Sequence, residues 1–148
     1  MPPAILIRAL APPDIPSILE IQSASPEASG WTAADYARAC DGSLRGLVAL
    51  RSEVLAGFIV SRFAADEMEI LNLAVRPALR RLGIASQLLS AALDHARSRG
   101  AKNCFLEARH TNTTAISFYL RHGFTQSDRR PGYYSDPPAD ALLLSRPL

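Results

Sequence analysis

Three sets of residues have types and spacings that could do chemistry. The first is the run Arg80-Arg81-Leu82-Gly83-Ile84-Ala85-Ser86, between an apolar segment and an amphipathic one. If the second segment is a helix, its first N–H groups have no intrahelical partner, and the helix dipole places partial positive charge there. Gly83 lets a ligand approach the backbone closely, and the two arginines add charge. A pyrophosphate would be well served by such a place. The same residues also describe a solvated basic turn. Neither Gly-Lys-Ser/Thr nor GxGxxG is present, which makes ATP and NAD poor candidates.

The second set is Glu107, Asn112 and Tyr119. In a strand over 103–108, Glu107 alternates with Phe105 on one face, while Cys104 and Leu106 lie on the other. A carboxylate beside Phe105 near a sheet centre is partly desolvated, which suits a general base. The alternative is an ordinary strand carboxylate paired with Arg109. A phenol has a pKa near ~10, so Tyr119 is protonated at neutral pH and can donate to a developing anion. It could equally pack on the core beside Ile116 and Leu120. Asn112 stands just before a helical segment and can cap it.

The third set is Tyr133-Tyr134. The pair could wall a groove for an extended peptide, or cover a core as good strand formers. Arg129-Arg130 reads as a solvated turn. His95, His110 and His122 lack ligand spacing and read as surface residues, and Cys40 and Cys104 form no CxxC pair. No metal is expected.

The elements that must position these groups follow from periodicity. Ala4–Leu10 predicts a strand, ended by Pro12-Pro13. Asp14 can cap a helix over 15–22. The segment 23–30 reads as a loop, and Thr32-x-x-Asp35 is a capping box opening a second short helix. Leu47–Arg51 and Val54–Arg62 flank the hairpin signal Ser52-Glu53, and Met68–Val75 is a third strand-like run. Ile84, Leu88, Leu89, Ala92, Leu93 and Ala96 share one face of a helix over 84–99, which Gly100 closes. A strand over 103–108 and a helix over 115–121 follow. Tyr133-Tyr134 and 141–144 form a final strand pair around Ser135-Asp136-Pro137-Pro138. The order β-α-α-β-β-β-α-β-α-β-β places a parallel crossover inside a mostly antiparallel sheet. The fold class is therefore α/β (α+β) with a mixed sheet, in one domain over 1–148.

Composition narrows the function. The 148 residues are 48% hydrophobic and 20% charged, which fits an ordinary globular chain and excludes a disordered or coiled-coil one. Sixteen basic and fourteen acidic residues leave a net charge of +2, too balanced to imply nucleic acid or a membrane surface. The apolar N-terminal run is interrupted by Arg8 and does not read as a signal peptide, and no stretch approaches a ~20-residue membrane span. A soluble, cytoplasmic protein without a disulfide framework is expected.

Arg80-x-x-Gly83-x-Ala85, between Glu69–Val75 and an amphipathic helix, resembles the Arg/Gln-x-x-Gly-x-Gly/Ala signature of the GNAT superfamily of acetyl-CoA-dependent N-acetyltransferases. Leu106-Glu107-Ala108-Arg109, Asn112, Ala115-Ile116, Tyr119, Gly123-Phe124, Gly132-Tyr133-Tyr134 and Asp140–Leu144 are similar to the bacterial ribosomal-protein alanine N-acetyltransferase subgroup. The likeness runs from about Glu67 to the C-terminus; the first half matches in element order and Trp31. Ala85 stands where Gly is commoner, and Gly132 where the subgroup often has Asn.

The resemblance implies a GNAT-type twisted sheet with helices on both faces and acetyl-CoA as co-substrate. It makes Glu107 the base and Tyr119 the acid. Residues 80–86 would hold the pyrophosphate, and Asn112 would bind coenzyme A. The strand at Leu73, Ala74 and Val75 would part from the strand of Glu107, admitting the pantetheine arm and offering a backbone N–H to the thioester carbonyl. Acetyl transfer needs a neutral amine. With an α-amine pKa near ~7.7–8.0 and a lysine near ~10.4, deprotonation at pH 7 costs about 1 and almost 5 kcal/mol respectively. The implied acceptor is the N-terminal alanine of a small-subunit ribosomal protein, reached directly, because Cys104 lies on the face opposite Glu107. A small-molecule amine as acceptor and a non-catalytic acyl-CoA-binding regulator are the alternatives.

Overall fold

The computed structural model describes residues 3–25, 28 and 30–148. Strands β1 (Ile5–Ala9), β2 (Arg45–Arg51), β3 (Val54–Ala64), β4 (Glu67–Val75), β5 (Asn103–Arg109), β6 (Thr125–Ser135) and β7 (Pro138–Pro147) form one sheet in the order β1-β2-β3-β4-β5-β7-β6. All neighbours are antiparallel except β4 and β5, which are parallel. Helices α1 (Ile15–Ser23), α2 (Ala33–Ala37), α3 (Ile84–Ser98) and α4 (Thr113–Arg121) complete the expected order. The loop expected over 23–30 is in part outside the described residues; Ser23 itself ends α1.

The two faces of the sheet bury separate cores. Ile84, Leu88, Leu89, Ala92, Leu93 and Ala96 of α3, with Tyr119 of α4, pack on one face against Met68, Ile70, Leu106 and Leu144. Each fully buried aliphatic side chain there contributes about 1.5–3 kcal/mol. Ile18 and Ile21 of α1 and Tyr36 of α2 cover the other face at Val48, Phe58, Val60 and Ala74. Gly57 is required where the layers meet, because a Cβ there would lie 2.8 Å from the Ala74 carbonyl oxygen.

Capping follows the sequence closely at α2. Thr32 Oγ1 accepts from the Asp35 amide at 3.2 Å, and the Asp35 carboxylate accepts from the Thr32 amide at 2.8 Å. At α1 the structure corrects the expectation. Asp14 makes no side-chain cap to α1; its carboxylate accepts from the Ala11 amide at 2.8 Å and takes both arms of Arg8 at 2.7 and 2.8 Å. The Arg8 hydrogen bonds hold the Asp14 carboxyl below its ordinary range, against the opposing effect of burial.

The sequence reading missed most of β6. Every residue from Thr125 to Tyr133 is exposed, so this edge strand has no buried face to generate an alternating pattern. Arg129 and Arg130 therefore sit in a strand rather than a turn, and both are ion-paired: Arg129 with Asp140 at 2.7 Å, Arg130 with Glu107 at 2.9 Å. The three histidines are also less exposed than expected. His95 lies edge-on to Phe63, His110 Nδ1 accepts from the Asp140 amide at 3.1 Å, and His122 bridges the Phe118 carbonyl and Ser86 Oγ.

Candidate active site

β4 and β5 pair only over Glu67–Glu69 and Asn103–Phe105, then separate. A bulge marks the place. Val60 of β3 faces Asn72 while the next residue, Ser61, faces Ile70, so Leu71 is an extra residue on β4. An extra residue breaks the ladder locally, bends the strand and inverts which side chains face which layer. Met68 and Ile70 accordingly belong to the core under α3, whereas Ala74 belongs to the core under α1 and α2.

The separation opens a cavity of about 650 Å³. Leu73 and Asn72 line it from β4, Glu107 from β5, Asn112 and Tyr119 from the α4 side and Tyr134 from β6. Ala28 and Gly30 close it on the side of α1. Five of the residues singled out in the sequence thus meet in one space: Leu73, Glu107, Asn112, Tyr119 and Tyr134. Asn72, Ala28 and Gly30 were not singled out. The bulge that presents Asn72 leaves no trace in residue type, and a Gly or Ala in a loop carries no chemical signal.

The backbone of β4 also faces the opening. The Arg76 amide donates to the Ala56 carbonyl at 2.8 Å, so it points to β3. Alternation along the strand turns the N–H of Val75, and of Leu73, to the β5 side. The Val75 carbonyl accepts from Arg80 Nε at 3.2 Å on that side. The Ala74 and Val75 side chains are buried in the two cores.

Glu107 carries an ion pair with Arg130, not with Arg109, at a carboxylate about one-fifth exposed. The Arg109 guanidinium lies 4.4 Å from the Tyr134 ring centroid and donates to the Pro137 carbonyl at 2.6 Å. Tyr133 is exposed, stands edge-on to Tyr134 at 5.1 Å, and has its phenol pKa raised chiefly by its hydrogen bond to Glu107. It therefore sits at the mouth beside the carboxylate rather than in the cavity lining.

Tyr119 is buried against Phe118 and Phe124, yet reaches the cavity. Burial raises its phenol pKa well above the ordinary value, with a smaller contribution from Cys104. Its hydroxyl has no hydrogen-bond partner among the described residues, so its proton is available to a ligand. Asn112 Oδ1 accepts from the Ala115 amide at 3.2 Å, which makes it the cap of α4. Its other polar group remains for the cavity it lines.

The turn over residues 80–86 lies at the N-terminus of α3. Gly83 is its N-cap with φ 81°, a conformation that disfavours any Cβ, and Arg81 is also left-handed at φ 63°. The Gln87 amide donates to the Gly83 carbonyl, so the amides of Ile84, Ala85 and Ser86 precede the first helical bond. Leu82 and Arg81 are exposed, while the Ile84 side chain is in the core. Arg80 folds back: besides Val75 it donates to Ser25 Oγ at 3.1 Å. The charge offered outward here is that of Arg81 and the amides. No cluster of His, Cys, Asp and Glu among the described residues could hold a metal, and no helix among them is long and apolar enough to cross a membrane.

Residues 14–124 match the acetyltransferase (GNAT) family. Ribosomal protein bS18-alanine N-acetyltransferase of Escherichia coli strain K12 is 27% identical over 144 residues, which is 96% of this chain and 97% of that protein. The crystal structure of the ribosomal-protein-S18-alanine N-acetyltransferase from Escherichia coli superposes with a TM-score of 0.85 at 26% identity, covering 97% of this chain and 94% of the other. Ard1 from Thermoplasma volcanium superposes with a TM-score of 0.86 at 32% identity over 98% of each chain.

Proposed function

Because this chain belongs to the acetyltransferase (GNAT) family and is an acetyl-CoA-dependent N-acetyltransferase, we propose that its acceptor is a protein α-amine, the N-terminal alanine of a ribosomal protein. The observation that carries this reading is the single cavity in which Glu107, Asn112, Tyr119 and Leu73 meet at the split between β4 and β5. The full-length relatives named for the bS18 alanine support the same acceptor. A cytoplasmic setting goes with it, and residues 1–148 act as one catalytic domain.

The residues divide the work. The amides at Gly83–Ser86, with Arg81, receive the diphosphate, and Asn112 holds the pantetheine arm. Leu82, Ile84 and Ala85 shape that turn, and Arg80 braces it against Val75. The acceptor arrives as an ammonium, and Glu107 takes one proton from it. An α-ammonium asks for about 1 kcal/mol at pH 7 where a lysine asks for almost 5, so one modest carboxylate suffices. The neutral amine attacks the thioester carbonyl. The N–H of Val75 donates to the oxyanion as the tetrahedral intermediate forms. When that intermediate collapses, the C–S bond breaks, the sulfur leaves as thiolate and the nitrogen gives up its second proton.

Tyr119 serves the departing sulfur. Its raised pKa keeps the hydroxyl protonated, and full transfer to a thiolate whose conjugate acid titrates near ~8.5 would run uphill. Its contribution is a hydrogen bond that carries the sulfur's charge until the amine proton arrives. Tyr133 and Tyr134 wall the entry for the first peptide residues.

The test incubates the protein with labelled acetyl-CoA, peptides differing at their first residues, and polyamines. Label on the α-amine of alanine-initial peptides is the expected result. Label confined to polyamines or to lysine side chains would overturn the acceptor assignment.

A further inference from the structure

A chain of buried and part-buried hydrogen bonds links Asn72 in the cavity lining to the segment that carries Gly30. Asn72 donates through Nδ2 to the Tyr36 hydroxyl at 2.9 Å. The Tyr36 hydroxyl donates to Gln22 Oε1 at 2.5 Å. The Gln22 amide grips the backbone of Trp31 twice: Oε1 accepts from the Trp31 N–H at 3.2 Å, and Nε2 donates to the Trp31 carbonyl at 2.9 Å. Trp31 directly follows Gly30, which lines the cavity with Ala28.

Each member is used to a defined capacity. Gln22 Oε1 has two lone pairs and two donors. The Tyr36 hydroxyl both accepts and donates. Burial raises the Tyr36 phenol pKa, despite the opposing hydrogen bond from Asn72, so it remains a donor throughout the physiological range. The ring is locked edge-on to Phe58 at 5.5 Å and lies 5.2 Å from Trp31. Elements α1, α2, β4 and the residues before α2 thus meet at one phenol. A ring without the hydroxyl would meet a purely packing role, and a purely helical Gln22 would need no contact with Trp31.

We infer that Asn72, Tyr36 and Gln22 form a positioning relay, which holds Gly30 and Trp31 at a fixed distance from β4 and thereby sets the acceptor side of the cleft. The inference rests on the acetyl transfer proposed above and adds that the wall at Ala28 and Gly30, like that at Tyr134, borders the acceptor. The three side chains do not touch the transferred acetyl group. They act by holding the wall against which the amine's own chain lies.

The test uses the full chain and two variants, Tyr36→Phe and Gln22→Glu, each checked for cooperative unfolding. The first removes the central hydroxyl and keeps the ring; the second keeps an acceptor and removes the donor to the Trp31 carbonyl. Gln22→Glu loses one hydrogen bond, which predicts a rise of roughly three- to tenfold in acceptor KM, and Tyr36→Phe loses two, which predicts a rise at least as large. The KM for acetyl-CoA and kcat are expected to stay near the wild-type values. The double variant should be no worse than the worse single variant, because both break one chain. Hydrogen exchange supplies a readout independent of the acceptor: the Trp31 amide should exchange faster in Tyr36→Phe, while amides of β3 and β4 keep their protection. Faster Trp31 exchange with an altered KM for whichever amine the wild type uses supports the relay, even if that amine is not a peptide. Unchanged Trp31 exchange in Tyr36→Phe, or an equal rise in KM for acetyl-CoA, would overturn it. Should Tyr36→Phe fail to fold, Gln22→Glu carries the comparison of the two KM values, and an unchanged acceptor KM there would overturn the relay.

Discussion

Strand β5 meets its two neighbours in opposite ways. Against β7 it is paired along its whole length, from Asn103 with Pro147 to Arg109 with Ala141. Against β4 it is paired for three residues and then parts. The closed seam buries Leu106 and Leu144 under the helices, whereas the open one borders the cavity with Glu107 and Leu73. A sheet opened between two central strands loses ladder bonds, and the antiparallel seam beside it keeps β5 in place. Stability and chemistry are therefore carried by opposite edges of one strand, and substitutions should separate them.

The largest effect belongs to the open seam. Glu107→Gln should lower kcat by about 10²–10⁴-fold, the usual contribution of a general base, with acetyl-CoA binding nearly intact. Steady-state kinetics beside isothermal titration check this; normal turnover would remove Glu107 from the role. On the closed seam, Leu144→Ala should cost about 2–5 kcal/mol of stability in urea unfolding, since Leu144 is fully buried. Its kcat in the folded state should hardly change, and a large fall in kcat would merge the two seams that the account keeps apart. The smallest of the three is Tyr119→Phe. Loss of one hydrogen bond to a charged sulfur is worth about 1.5–3 kcal/mol, or roughly 10- to 150-fold in kcat. A poorer thiol leaving group should widen the loss if Tyr119 acts on the sulfur.

The two seams also differ in how far the sequence announces them. The path β4, α3, β5, α4 was legible because each element has a buried face. Ile84 to Ala96 recur at helical spacing, Cys104, Leu106 and Ala108 alternate, and Gly83 stands at the N-cap of α3. Glu107, Asn112 and Tyr119 could be singled out because their types are uncommon at those places and their spacing resembles a known family.

What stayed hidden was tertiary. The bulge at Leu71 leaves burial alternating along β4 and changes only which core each residue enters. β6 lies at the sheet edge, where no face is buried, so Arg129 and Arg130 look like a turn and their carboxylate partners, eleven and more residues away, are invisible. Arg80 reads as part of an anion site, and only the folded chain turns its side chain towards Ser25 and the Val75 carbonyl. The bonds among Gln22, Trp31, Tyr36 and Asn72 join residues up to 36 positions apart, beyond any local pattern.

The central claim is that the split beside Glu107 is where the thioester and the amine meet. A crystal structure with coenzyme A bound tests it most directly. The diphosphate is expected on the amides of Gly83 to Ser86, and the sulfur between β4 and β5 within reach of the Tyr119 hydroxyl. A diphosphate seated elsewhere, or a sulfur on the far side of the sheet from Glu107, would contradict it.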